Sequence, residues 1–241
     1  NALRNNTSGG SNIANGNYAL FNTTTGGANT ANGESALQSN TEGDYNTADG
    51  FQALQSNTTG SYNTALGENA LSTNATGNNN TSLGYRADVS APNLINATAI
   101  GNGAIVNSSN KIRLGNTLVT VMEGQVAYSV ASDKRFKYDI KNNVPGLDFI
   151  KMLNPVTYYF DDKKLEEYTK TGVLNNNIAQ HASYNGEKQL HTGFLAQDVE
   201  KIAIDLRYEF DGVHAPANDK DHYSLAYSQF IMPLVKGMQE Q

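Results

Sequence analysis

Ser132-Asp133-Lys134-Arg135-Phe136-Lys137 stands where the composition of the chain changes. Before it charge is scarce, and Asn, Thr, Gly and Ala dominate; after it the residues mix as in an ordinary globular domain. A serine hydroxyl at such a boundary, with a lysine amine five residues on, points to a peptide bond that the chain cuts in itself. The same residues also read as a surface serine beside a solvated basic cluster of Lys134, Arg135 and Lys137, and taken alone they do not decide between the two. Asp133 reads as a helix N-cap or turn residue and Arg135 as a structural ion-pair former.

Upstream lies a repeat. Gly16, Gly33, Gly50, Gly67, Gly84 and Gly101 are 17 residues apart, and Gly9, Gly26, Gly43, Gly60 and Gly77 keep the same step. Between them sits an Ala-Leu pair, from Ala2-Leu3 to Ala70-Leu71, and words such as Asn63-Thr64-Ala65-Leu66 precede the first glycine series. A fixed short period predicts stacked coils rather than a closed core. Seventeen residues fit two short strands and two tight turns, with glycine supplying the turn conformations. Leu3, Leu20, Leu37, Leu54 and Leu71 then stack as an apolar ladder, and Ala14, Ala31, Ala48, Ala65, Ser82 and Ala99 line a narrow interior. The position after that alanine drifts from Asn15, Asn32 and Asp49 to Leu66, Leu83 and Ile100, which predicts that it is covered in the later coils. So thin a stack buries little apolar area, so oligomerisation is expected to complete it, through the leucines or the late apolar positions. Asn1-Ala2-Leu3 falls inside a repeat, which predicts more of it upstream.

From Lys111 the pattern changes. Ile112, Leu114, Leu118, Val119, Val121, Met122, Val126, Tyr128 and Val130 alternate with small or polar residues around Gly115-Asn116 and Gly124-Gln125, which predicts short strands that pair within or between subunits. At the far end Tyr227, Ile231, Leu234 and Met238 are spaced four, three and four, a coiled-coil-like seam interrupted by Pro233, which bends the helix or marks its start.

The words Asn63-Thr64-Ala65-Leu66-Gly67 and Thr98-Ala99-Ile100-Gly101 resemble the repeats of YadA-like trimeric adhesin heads, a likeness over residues 1–106 that implies a trimeric parallel β-roll or β-solenoid. The C-terminal half resembles the endosialidase-type intramolecular chaperone of phage tail spikes and fibres, on four words in order: Ser132-Asp133-x-Arg135-x-Lys137, Leu153-Asn154-Pro155-Val156-Thr157-Tyr158-Tyr159-Phe160, Gly193-Phe194-Leu195-Ala196-Gln197-Asp198-Val199 and Tyr223-Ser224-Leu225-Ala226-Tyr227. The stretch 161–191 fits no motif and reads as a variable insertion. This second resemblance implies a Ser–Lys dyad. Ser132 is the nucleophile on the carbonyl of Ala131, with Ala131–Ser132 the scissile bond and Lys137, by the family spacing, the base. A hydroxyl needs such a base, and a lysine serves when burial disfavours its charged form. In a straight strand residues five apart face opposite ways, so the dyad requires a bend or a lysine from another subunit. Gln197 has two readings, an oxyanion-supporting role and simple packing and capping.

The expected organisation is therefore a β-rich fibre or head (1–106), a β bridge (107–131) and an α+β chaperone (132–241) ending in a coiled-coil-like helix. The expected function is that of a homotrimeric phage tail fibre or spike in the virion tail, whose chaperone cleaves itself off after folding, with no external substrate. The alternative is a bacterial trimeric adhesin at the cell surface whose C-terminal domain only caps. A third possibility, a glycan-acting enzyme, finds no paired carboxylates here. A host-cell surface receptor is the expected outside partner. The net charge of −6 speaks against a broad nucleic-acid surface. No apolar run of about 18 residues is present for membrane insertion. Without cysteine, and with His181, His191, His214 and His222 in no paired spacing, neither a metal nor a cofactor is expected.

Overall fold

A computed structural model describes residues 1–169 and 189–241. The motifless stretch 161–191 and His181 fall mostly or wholly outside the described residues. The chain divides into two compact units. The first holds residues 1–120, 162–169 and 218–221; the second holds 121–161, 189–217 and 222–241.

The first unit is a parallel β-solenoid. Strands β1 (Ile13–Asn15), β2 (Thr30–Asn32), β3 (Thr47–Asp49), β4 (Thr64–Leu66), β5 (Thr81–Leu83), β7 (Thr98–Ile100) and β9 (Ile112–Leu114) form one sheet in that order. Each pairs with the residue 17 positions on, Ala31 with Ala48 and Ala48 with Ala65. The last step is shorter, pairing Ala99 with Arg113. Two further strands, β6 (Asp88–Val89) and β8 (Ile105–Val106), form a second small parallel pair.

Each early coil therefore carries one strand, not the two expected. The opposite side is still bonded coil to coil, as in Leu20 N–H to the Ala36 carbonyl at 3.0 Å. Its backbone is not extended, however: Leu20, Leu37, Leu54 and Leu71 adopt φ of 50, 51, 50 and 53°. A left-handed leucine is rare, and here it turns the side chain inward, where all four are fully buried. The ladder ends where Asp88 takes the leucine position. The two glycine series have different reasons. Gly50 has φ 141°. Gly43 has no such φ; a Cβ there would strike Asn40 Oδ1 and the Gly60 carbonyl.

Two columns of buried asparagines run through the stack. In one, Asn46 Nδ2 donates to Asn29 Oδ1 at 3.1 Å and to the Gly60 carbonyl at 2.8 Å, while Asn63 N–H donates to Asn46 Oδ1 at 3.0 Å. In the other, Asn57 Nδ2 donates to Asn40 Oδ1 at 2.8 Å and Asn74 Nδ2 to Asn57 Oδ1 at 2.9 Å. Each amide thus satisfies the next, which is what allows polar side chains to be buried at all. At the end of the stack Arg113 replaces the interior alanine and donates through Nε to the Gly115 carbonyl at 3.2 Å.

Leu66, Leu83, Ile100 and Leu114 lie in register on neighbouring strands and are exposed. The expectation that the later apolar positions are covered fails within one chain, because the flanking alanine, not this residue, points inward.

The second unit is α+β. Helix α1 (Leu147–Met152) is followed by β10 (Val156–Tyr159), which pairs antiparallel with β11 (Leu190–Gly193). Next come α3 (Ala196–Asp205), the antiparallel pair β12 (Val213–His214) and β13 (Ser224–Leu225), a 3-10 turn (Tyr227–Phe230) and α4 (Ile231–Gln239). Helix α2 (Asp162–Thr169) precedes β11 in the chain but belongs to the first unit. The core gathers Phe149, Val199, Ala203, Phe210 and Phe230, with Phe149 and Phe210 ring centroids 5.0 Å apart. Pro233 sits in the first turn of α4, where its missing N–H has no helical partner to lose, so it marks the helix start rather than a kink.

Candidate functional site

Between Leu114 and the 3-10 turn Lys134–Phe136 no regular element forms among the described residues. The strands expected there do not form within one chain; the expected pairing between subunits lies beyond it. Val126, Tyr128 and Val130 are 84%, 93% and 87% exposed, so nothing among the described residues offers them a pairing edge or an apolar surface. Ala131 and Ser132 lie in this open stretch, both exposed.

Asp133 ends it. In extended backbone, its carboxylate accepts the Arg135 N–H at 2.9 Å, capping the turn. Arg135 adds Nε and Nη2 contacts to Asp133 Oδ2 at 2.9 and 2.6 Å. The Arg135 hydrogen bonds hold the Asp133 carboxyl below its ordinary range. The roles read for both residues in the sequence are those they play.

The turn changes the geometry of the pair that brackets it. In a straight strand Ser132 and Lys137 would lie roughly 16 Å apart on opposite faces. A 3-10 turn rises only about 2 Å per residue and rotates the chain. Lys137 closes it with its N–H on the Lys134 carbonyl at 3.2 Å. Lys137 Nζ thereby donates to Ser132 Oγ at 2.7 Å, within one chain. Both side chains are exposed. A bend that brings the two side chains together is present, built by Asp133 and Arg135.

Gln197 lies exposed in the first turn of α3 and makes no hydrogen bond to Ser132 or Lys137 among the described residues. The word around it has a structural reason instead. Tyr227 Oη accepts the Phe194 N–H at 3.1 Å, and a Cβ on Gly193 would collide with that same Oη. Gly193-Phe194 and Tyr223–Tyr227 are two halves of one contact. Tyr223 Oη also donates to Glu200 Oε2 at 2.9 Å.

Helix α4 has two apolar faces. Phe230, Pro233 and Gly237 are buried against the domain. Tyr227, Ile231, Leu234 and Met238, the seam read in the sequence, are 49%, 51%, 46% and 76% exposed. His191 stacks on Tyr158, with centroids 5.6 Å apart. No helix among the described residues is long and apolar enough to cross a membrane.

Residues 132–208 match the family described as chaperone of endosialidase. The match begins at Ser132 and takes in the words at Leu153 and Gly193; the Tyr223–Tyr227 word lies beyond the matched residues. This part of the chain is thus similar to the endosialidase-type chaperone, and in the sequence it follows a β-solenoid. No curated protein and no solved structure matches the chain.

Proposed function

We propose that the chain is part of a homotrimeric phage tail fibre or spike, displayed on the virion tail, whose residues 132–241 guide trimer folding and then sever themselves at Ala131–Ser132. The observation that carries the cleavage is the 2.7 Å approach of Lys137 Nζ to Ser132 Oγ at the first residue of the family match. In the proposed division residues 1–106 are the fibre, 107–131 the bridge and 132–241 the chaperone. The solenoid would present its surface to a host-cell receptor.

The reaction uses no group from outside the chain except water. Neutral Lys137 Nζ takes the Ser132 hydroxyl proton as Oγ attacks the Ala131 carbonyl carbon. The C–N bond breaks, the proton passes to the Ser132 nitrogen, and the Ala131 acyl group rests on Oγ as an ester. Water hydrolyses the ester, leaving an Ala131 carboxylate and an N-terminal Ser132.

Both groups are exposed in one chain, and burial is what favours the neutral form of a lysine. Trimer formation would cover the segment and so couple cutting to correct assembly. The uncovered apolar sets support the trimer: Leu66, Leu83, Ile100 and Leu114 on the solenoid, Val126, Tyr128 and Val130 before the bond, and the α4 seam as a three-stranded coiled coil.

Mass spectrometry of the wild-type chain tests this. Two fragments, 1–131 and 132–241, are expected, with Ser132→Ala and Lys137→Ala remaining intact. A wild-type chain that assembles yet stays uncut overturns the cleavage and favours the capping adhesin.

A further inference from the structure

Residues 218–221 fold onto the last coil of the solenoid and belong to its compact unit. Asn218 shapes the segment, its Oδ1 accepting the N–H groups of Lys220 at 2.9 Å and Asp221 at 3.0 Å. Asp221 is fully buried, and its Oδ1 accepts Lys111 Nζ at 2.8 Å. Lys111 Nζ also donates to Asn107 Oδ1 at 3.0 Å. Asn107, 1% exposed, returns Nδ2 to the Lys220 carbonyl at 2.8 Å, and its own carbonyl accepts Asn218 Nδ2 at 2.9 Å. Tyr168 of α2 donates to the Asp221 carbonyl at 3.2 Å.

These partners lie on opposite sides of Ala131–Ser132. Asn107 and Lys111 are upstream; Tyr168, Asn218 and Asp221 are downstream. A buried carboxylate that accepts a lysine, with reciprocal amide bonds around it, is a fitted joint rather than a chance surface contact. A part-buried pair of this kind is screened by salt less than an exposed one, and removal of one member is costly.

We infer that residues 218–221 form a clasp that keeps the severed 132–241 fragment on the solenoid, so that cutting and release are separate events. The inference rests on the proposed cleavage for its biological setting, but the joint can be tested without it. The segment stays on the last coil until the Lys111–Asp221 pair is broken.

The test uses the full chain with a tag before residue 1, in two forms. One is the wild type. The other carries Ser132→Ala and, in place of residues 126–131, a site for an added sequence-specific protease. After the external cut the tagged part is captured and washed at low and high salt, and the bound 132–241 fragment is measured. Retention at both salts is expected. Lys111→Met or Asp221→Asn should weaken it by about a hundred-fold or more. The charge exchange, Lys111→Asp with Asp221→Lys, should recover part of the loss and so separates a broken clasp from a misfolded coil. Immediate loss of the fragment from the externally cut parent, or equal retention in Lys111→Met, overturns the clasp. An uncut wild type overturns the proposed cleavage alone, because the external cut still reads the joint.

Discussion

Leu54 and Val130 are both aliphatic residues in β-prone sequence, yet Leu54 is fully buried and Val130 is 87% exposed. The difference lies in what each neighbourhood can supply. Leu54 has Leu37 below it and Leu71 above it, at the same position of identical coils, so every coil is the packing partner of the next. Val130 has no repeat of itself in the chain. In the proposed trimer its partners would be the equivalent segments of two further chains. The coil stack meets its own needs; the stretch leading to Ser132 and the outer face of α4 do not.

Substitutions inside the stack attack this contrast most strongly. Leu54→Ala should cost about 2–5 kcal/mol in chemical denaturation of the first unit. Asn46→Ala should cost about 1–3 kcal/mol, since it strands the Asn63 N–H, while the Gly60 carbonyl keeps Asn57 Nδ2 at 2.8 Å. A loss below 1 kcal/mol for both would mean that the coils do not depend on their neighbours.

Asp88 sharpens it by pH. Burial pushes its carboxyl up to about 6, against the pull of hydrogen bonds from Val89 N–H, the Ser72 hydroxyl and Thr73 N–H. The folded value lies above the unfolded one, so the stabilising contribution is complete below about pH 4 and is lost as pH rises through about 6. Relative to Asp88→Asn, the wild type should lose up to about 3 kcal/mol between pH 4 and pH 8 in paired melts. A difference that does not vary with pH would remove the burial effect.

In the second unit Gly193→Ala should cost about 1–3 kcal/mol through its collision with Tyr227 Oη. Tyr227→Phe should recover much of it despite losing one hydrogen bond, which a double-mutant cycle measures. The smallest intramolecular effect is that of Val130→Ser, within about 0.5 kcal/mol in the isolated chain. The same substitution should lower the trimer fraction in sedimentation. An unchanged trimer would locate the subunit contact elsewhere.

How much of this was legible follows the same division. The period, the leucine ladder and the small interior position follow from spacing, because each coil repeats its neighbour's environment. The single strand per coil was not legible, because it depends on leucine taking a left-handed conformation that its side chain disfavours. The asparagine columns were visible only as part of the repeated words; Asn usually signals turns, and only the stacking shows each amide satisfying the next. At the candidate site the residues and the need for a bend could be read, but not that Asp133 and Arg135 build the bend within one chain. The strands expected at Leu118–Val130 do not form within one chain, because an alternating pattern shows that a segment suits a sheet, not that the same chain provides one.

The asparagine columns also make length a discrete variable. In both, the amide of the later coil donates to the carbonyl oxygen of the earlier one. A column cut out by one whole 17-residue turn rejoins donor to acceptor with no change in sense. A deletion that is not a whole number of 17-residue turns breaks both columns at once. Such a molecule can be lengthened or shortened by recombination between its own repeats, in steps of about 4.8 Å, while every intermediate length remains a complete structure.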